Sequence, residues 1–506
     1  MSLSSTFAII NSAFTSTAAQ SSVIASNISN VSTPGYVREV ANQVATSYGG
    51  SEVVSISRQA NAALLDQLNT STSESAAQTA ISTGLSTLAA TVDDSASSTS
   101  ASGALQNGTS PSAMLGNLQS ALTTFQATPS SAAAAQGVLT AAQNLTSALN
   151  TGANTVSSVR EQADQSIATS VDSINKLLGQ FQQANDSVVS GLASGGDVAS
   201  AETSRDSILT QLSQQLGIST TTNSNGSMSV YTDSGVTLFQ DTPQTVSFTP
   251  TATYTATSVG SAVTVNGIPI TGASAPMAVQ SGALAGYSQL RDVIAPQYQT
   301  QLDQIAGGLV SAFAESDQSA TPTQPTLPGL FTASGLTSVP ADTAVDGLAA
   351  SIEVNPNVDP TQGGSLSLLR DGGISSPGNS AYTYNTTGAA SYTGRLQQMS
   401  AALTATDSFA AKSSQGVATG LETSNSLTGY ATDSVSWLQG QNQTASNAAN
   451  YQSSVVSQAS AALSNATGVN LDTEMTNMLN IENSYSSAAK LLTTVNTMFS
   501  ALLNAA

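Results

Sequence analysis

The chain of 506 residues has no histidine and no cysteine, and its only lysines are Lys176, Lys412 and Lys490. These absences exclude Ser-His-Asp triads, Cys-His dyads, His or Cys zinc sites, iron–sulfur clusters and disulfides. The lysines follow Asn, Ala and Ala, so no phosphate-cradling loop ending in Gly-Lys-Ser/Thr is present, and no GxGxxG opens a helix after a strand. The absence of cysteine suits a protein that crosses redox compartments unfolded or works outside the cell. Charge is scarce as well: 8% of residues are charged, against about 25% in an ordinary soluble protein. Ten basic residues face 30 acidic ones, a net charge of −20 that would repel a phosphate backbone or an anionic bilayer. Neither a nucleic-acid nor a membrane partner is predicted. No window offers 18 uninterrupted apolar residues. Residues 1–37 carry no charge, so a signal peptide with a basic start is not expected and the N-terminus should remain uncleaved.

What the chain has instead is Ser, Thr, Asn, Gln and Ala threaded with helical periodicity, clearest at its two ends. Alternating steps of four and three pass through Leu3, Phe7, Ile10, Phe14, Thr17, Ser21, Ile24, Ile28 and Val31, mostly apolar. At the other end Leu471, Glu474, Met478, Ile481, Tyr485, Ala488, Leu492, Val495, Phe499 and Leu502 form a second stripe, apolar except for Glu474. Such stripes predict a coiled-coil seam between the ends. The faces away from the seam carry Ser, Thr, Asn and Ala, which allow further helices to approach closely. The first helix should stop near Asn30, before a turn at Ser32 to Tyr36 that contains Pro34-Gly35.

The pattern predicts further helices at 60–92, 112–127, 131–150, about 167–192, 199–216 and 283–316, with Pro129 separating the second and third. Residues 93–111 read as a Ser-rich connector. Between Ile218 and Ile270 the period shifts to two, and Asn225-Gly226, Asp233-Ser-Gly235 and Asn266-Gly267 supply hairpin turns. The predicted fold class is mainly α with a small inserted antiparallel β subdomain (α+β), in which the N- and C-terminal regions pair in a long helical bundle. Three parts are expected: a terminal coiled-coil polymerisation domain (1–36 plus 468–506), a helical rod-like core (37–217 plus 281–467) and a β subdomain (218–280). Within the core, 317–392 reads as a loop-rich, Pro-containing connector, and about 393–465 as weakly patterned helix.

No catalytic, cofactor-binding or metal-ligating residues are assigned, and no cofactor or enzymatic activity is predicted. Asp93-Asp94 sits in the Ser-rich connector, and Asn223-Ser-Asn225-Gly226 lacks the acidic spacing of a calcium loop. A pair of distant carboxylates could serve a cell-wall hydrolase, but 30 acidic residues produce such pairs by chance. Trp437 reads as a helix-packing residue.

The run Ala25-Ser-Asn27-Ile28-Ser-Asn30-Val31-Ser-Thr33-Pro34-Gly35-Tyr36-Val-Arg38 resembles the N-terminal signature of bacterial flagellar rod, hook and hook-associated proteins. The tail from Gly468-Val469-Asn470-Leu471-Asp472-Thr-Glu474-Met475 through Leu502 resembles the C-terminal end of the hook-associated protein 1 family, the junction proteins between hook and filament. Glu202-Thr-Ser-Arg205-Asp206-Ser-Ile208-Leu209 is similar to that family's helix leading into a β insertion, and Ser281-Gly282-Ala-Leu284 with Leu290-Arg291-Asp292 to its return. Many members carry a sizeable β domain after the helix corresponding to 283–316. Here a Pro-rich linker stands in its place.

The resemblance implies an extracellular structural protein of the flagellum, exported through the flagellar secretion channel. Its implied partners are hook subunits and the next hook-associated protein, further copies of itself in a ring, and an export chaperone, for which the C-terminal stripe is the natural site. The subunit interface should involve Leu3, Phe7, Ile10, Phe14, Ile24, Ile28, Val31, Leu471, Met478, Ile481, Tyr485, Leu492, Val495, Phe499 and Leu502. Asn27, Asn30, Thr33, Pro34, Gly35, Tyr36 and Arg38 carry the family signature. Fixing the backbones of both ends outweighs the burial that one shared seam supplies, so the ends are expected to order only on assembly. The competing readings are a hook or filament subunit and, on the β subdomain alone, a secreted cell-wall hydrolase or adhesin.

Overall fold

The computed structural model describes residues 3–47, 49–94, 108–340 and 345–505. Helix α1 (Leu3–Ser29) leads into the turn at 30–36 and a hairpin of β1 (Glu39–Ala45) and β2 (Ser51–Arg58), with a register shift at Asn42/Gln43. Helix α2 (Ala62–Ala89) follows, capped by the Asn61 side chain accepting from the Leu64 N–H, and ends in a 3-10 turn at Ala90–Val92. Helix α3 (Pro111–Ala127) has Pro at its first position and Ser110 as cap. Ser110 also donates through Oγ to Asp94 (2.6 Å), which gives that acidic residue a structural partner. The expected connector at 93–111 lies mostly outside the described residues.

The spine is α4 (Ala132–Ser194), 63 residues long, or about 95 Å at 1.5 Å per residue. The separate segments expected at 131–150 and 167–192 are one continuous helix, because nothing between them breaks it: Gly152 has no proline beside it and packs against Leu302. It ends at Gly195 in the left-handed conformation. Helix α5 (Ala199–Gln215) returns along α4 and leads to β3 (Ile218–Thr222), β4 (Met228–Thr232), β5 (Thr237–Gln240) and β6 (Thr242–Pro243), which form an antiparallel sheet in that order. A second sheet holds β7 (Val246–Ser247), β8 (Thr264–Val265) and β9 (Ile268–Pro269). Asn266 and Gly267 both have positive φ, the backbone that a two-residue hairpin loop requires. Val230, Leu238, Phe239, Val263 and Val265 pack from these sheets onto Ile167, Ile174, Leu178 and Phe181 of α4.

The chain returns through α6 (Ala283–Gln289), a π-turn at Leu290–Ile294 and α7 (Ala295–Ala312), so the helix expected at 283–316 is interrupted and shorter. Gly282, just before α6, has φ +91°, and a Cβ there would lie 2.2 Å from the Leu216 Cα. Gly282→Ala should therefore destabilise the fold by more than about 1 kcal/mol in urea titration.

Residues 317–392 are not a loose connector. They contain β10 (Phe331–Ala333), α8 (Leu348–Ser351), β11 (Ile352–Val354) and α9 (Leu368–Asp371). Leu330, Phe331, Leu348, Ile352, Val358, Leu369 and Ile374 join one core with α2, α3, the first half of α4 and α7. Single apolar residues spaced by turns hid this packing from periodicity. The stretch expected to be helical from 393 onward is helix only as α10 (Gly394–Thr404) and α11 (Leu427–Thr467). Between them β12 (Thr406–Ser408) pairs with β13 (Ser424–Ser426). Trp437 packs on the same core from α11. The last element is α12 (Leu471–Ala505).

Asp303 of α7 fixes the 345–351 segment. Its buried carboxyl accepts from the N–H groups of Gly347 (2.9 Å) and Ala349 (2.8 Å) and from Gln299 (3.1 Å). Burial outweighs these donors and pushes its pKa up to about 7, with Asp346 nearby adding to the rise. The folded state then holds a proton that the unfolded chain has released, so this group's contribution to stability falls as pH rises from about 4 to about 7 and is flat above. The span corresponds to about 4 kcal/mol. Chemical denaturation across that window should show the slope in the parent, and the slope should be lost in Asp303→Asn.

Candidate functional site

Helices α1 and α12 run antiparallel, with Asn27 beside Glu474 near one end and the Phe14 and Tyr485 rings edge-on at 5.0 Å further along. Ile10 and Ile24 of the predicted stripe are buried, Phe14 and Ile28 half-buried, and Phe7 and Val31 exposed. The Leu3 side chain lies outside the described residues. On α12, Val495 is buried and Ile481 and Leu492 are half-buried, whereas Leu471, Met478, Tyr485, Phe499 and Leu502 are exposed. Five residues outside the predicted set, Met475, Leu479, Leu491, Met498 and Leu503, join them on the surface. Met475 and Leu479 stand four apart and Leu491 and Met498 seven apart, intervals visible in the sequence.

The signature residues build a polar clamp at the end of this seam. Asn30 closes the first helix, its N–H and its side-chain amide both donating to the Ser26 carbonyl (3.0 Å each). Thr33 donates through Oγ1 to Asn30 Oδ1 (3.2 Å), and Gly35 has φ +79°, so the turn folds back without a Cβ penalty. Thr33, Pro34 and Gly35 stay on the surface. The turn returns Tyr36 to the helix, where its hydroxyl donates to Asn27 Oδ1 (3.0 Å). Burial raises the Tyr36 pKa.

Asn27, 1% exposed, uses its whole amide: Oδ1 also accepts from the Glu39 N–H (3.0 Å), and Nδ2 donates to the Glu39 carbonyl (2.9 Å) and to Glu474 (3.3 Å). Arg38 donates through Nε to Glu474 (2.6 Å) and through Nη1 to Gln59 (3.3 Å), while its backbone N–H donates to the carbonyl of Thr467, the last residue of α11 (2.8 Å). Glu474 is fully buried in the first turn of α12, where the helix dipole favours a carboxylate. Asn470 caps that helix by accepting from the Thr473 N–H (3.1 Å). One arginine thus grips both sides of the α11–α12 joint. In the sequence Glu474 interrupts an apolar stripe; a lone acid in a seam, with a lone arginine closing the signature, is the available signal.

Two further joints use the other motif residues. Arg58 at the end of β2 reaches Asp206 (2.5 Å) and Glu202 (3.5 Å) of α5, tying the hairpin to the rod. Burial, with Asp206 nearby, raises the Asp66 pKa beside this pair. Arg291, on the π-turn and fully buried, binds Asp164 of α4 (2.6 Å), Asp292 (2.8 Å) and the Ser261 carbonyl (2.8 Å). Asp164 also receives the Tyr254 hydroxyl (2.7 Å), whose pKa burial pushes up to about 12. Among the described residues no group of three or more Asp and Glu side chains could hold a metal ion.

Residues 103–329 match the family model described as the flagellar hook-associated protein FlgK helical domain, and residues 460–505 match that of the flagellar basal body rod FlgEFG protein C-terminal region. The chain belongs to the flagellar hook-associated protein family. In this hook-associated chain the first match spans α3 to α7 with the β subdomain, and the second covers α12 with Glu474. The clamp therefore joins the second matched region to the N-terminal signature at 27–38. No curated protein matches the chain. Among solved structures, the flagellar hook junction protein FlgK from Burkholderia pseudomallei is 20% identical, with a TM-score of 0.41, over 53% of this chain and 46% of that one. Among the described residues of this family member, no helix is long and apolar enough to cross a membrane.

Proposed function

We propose that this chain is a non-enzymatic junction protein of the bacterial flagellum that joins hook to filament. Its terminal helix pair inserts among equivalent helices of the hook subunits below, of the next hook-associated protein above, and of copies of itself in a ring. The observation that carries this reading is the exposed apolar row of α12, from Leu471 and Met475 to Leu502 and Leu503, on a helix already paired with α1. A lone soluble subunit rarely leaves so many large apolar side chains of one helix uncovered. Neighbouring subunits would cover them, and assembly would hold the already paired ends in place. The protein would act outside the cell after export through the flagellar channel. The match to the hook-associated helical domain across 103–329 favours a junction protein over a hook or filament subunit.

Deletion of residues 471–506 tests the proposal. The core should keep its melting transition, and the truncated chain should fail to join the hook; normal junctions built from it would refute the reading. An export chaperone would mask the same row before assembly. Phe499→Asp, at an exposed position, should weaken chaperone binding at least about tenfold, since it places a charge in an apolar contact. Binding measured by calorimetry and left unchanged would remove that partner from α12.

A further inference from the structure

We infer that the Asn27–Arg38–Glu474 clamp is the register pin of the terminal helix pair, holding α12 at one longitudinal position along a seam that would otherwise slide. The seam repeats in sevens on both sides: Ile10, Thr17 and Ile24 on α1, and Ile481, Ala488, Val495 and Leu502 on α12. With Phe14 against Tyr485, moving α12 by seven residues in one direction brings Leu492 opposite Phe14, and in the other Met478. Apolar residues then still face apolar ones. The slide covers about 10 Å, and α12 runs beyond the start of α1, so the first movement draws its last turns into the seam.

Among the described side-chain contacts along the seam, the clamp is the polar one that distinguishes these positions. In the observed register Glu474 meets Arg38 at 2.6 Å and Asn27 at 3.3 Å, both within the buried end of the seam. After the first movement Ile481 occupies that place, and Arg38 and the Asn27 amide lose their acceptor while Glu474 leaves its donors. A buried polar contact inside an apolar helix pair contributes little net stability but penalises every register in which it is unmade. The inference concerns pairing within one chain, and it stands or falls independently of the flagellar assignment.

The chain has no cysteine, so two introduced thiols are the only ones. Phe14→Cys is combined in turn with Met478→Cys, Tyr485→Cys or Leu492→Cys in the full-length chain and treated with a short thiol-to-thiol crosslinker at concentrations where the chain is monomeric. In the parent background the 14–485 product should exceed either of the others at least about tenfold, and in Arg38→Leu/Glu474→Leu the three should come within about threefold, because the swap leaves an apolar pair without a pin. Circular dichroism should be unchanged. An equally sharp 14–485 product in the double variant would assign the register to the three-residue joint Gly468–Asn470 and overturn the inference. So would absence of the 14–485 product in the parent, or loss of helix in the double variant, which would make the pair a source of stability rather than of register.

Discussion

Arg291→Met is expected to destabilise the fold by about 3–5 kcal/mol, because it strands a buried anion. Asp164, on the spine helix, is almost wholly enclosed and keeps only the Tyr254 hydroxyl and the Thr251 N–H once the guanidinium is gone. Asp292 suffers less, since it is partly exposed and can turn to water. Methionine replaces the stem of the arginine but none of its donors. A lysine would carry the charge yet could not reproduce the fork that serves Asp164, Asp292 and Ser261 together, so Arg291→Lys should fall between parent and methionine. The damage should be local first. The segment 251–261 is tied down by Arg291 and by Arg160, which donates to the carbonyls of Thr255 (2.9 Å) and Ser258 (2.5 Å). Its amides should exchange early, while those of α12 remain as in the parent. Adding Asp164→Leu should recover most of the loss in urea titration, because an apolar pair needs no partner. An Arg291→Met chain as stable as the parent would mean that the hub is solvated in solution.

The same residues explain what the sequence revealed. Periodicity identified α1, α2, α3, α5 and α12 within a few residues, since each carries apolar residues at helical spacing. The β subdomain was visible because positive-φ turns punctuate alternating valines, and Asn266-Gly267 takes the backbone that this dipeptide favours. The hairpin at 39–58 was missed although Val40, Val44, Val53 and Ile56 lie along it; its faces are largely exposed, so its pattern lacks contrast. Helix α4 was divided because alanine, serine and threonine dilute its stripe near 150–166, where Ala153, Val156 and Val159 are nonetheless buried. Residues 317–392 build their share of the core from isolated side chains such as Leu330, Val358 and Ile374, a geometry without a period. The site was legible as a motif rather than as a mechanism. Asn27, Tyr36 and Arg38 stood in one signature, but the carboxylate that completes them lies 436 positions beyond Arg38, and only the antiparallel pairing brings it there.

Arg38→Leu should release the C-terminal helix from its partner. The two ends of this ion pair differ: the Glu474 side chain is fully enclosed, while the Arg38 side chain is 22% exposed. Removing the arginine leaves a buried carboxylate with Asn27 as its remaining donor and weakens the α1–α12 pairing by about 3–5 kcal/mol, the cost of an uncompensated buried charge. Removing the acid instead, in Glu474→Leu, leaves an arginine that can turn its guanidinium toward water, and the loss should be smaller. The asymmetry separates this account from a simple sum of contacts, in which the two single variants would be equal. The double variant should recover most of the loss, because an apolar pair replaces a charged one in the same space. Hydrogen exchange provides the measurement: amides of α1 and α12 should lose protection in Arg38→Leu, while those of α4 and α7, in the main core, stay unchanged. The melting transition of the core should not move. If the terminal pair is the element that docks into the hook, Arg38→Leu should also join hooks poorly with its core intact, and the double variant should regain attachment in proportion to the pairing it recovers. Equal loss in both single variants, or attachment that ignores the state of the pair, would contradict the clamp as the element that couples the two ends.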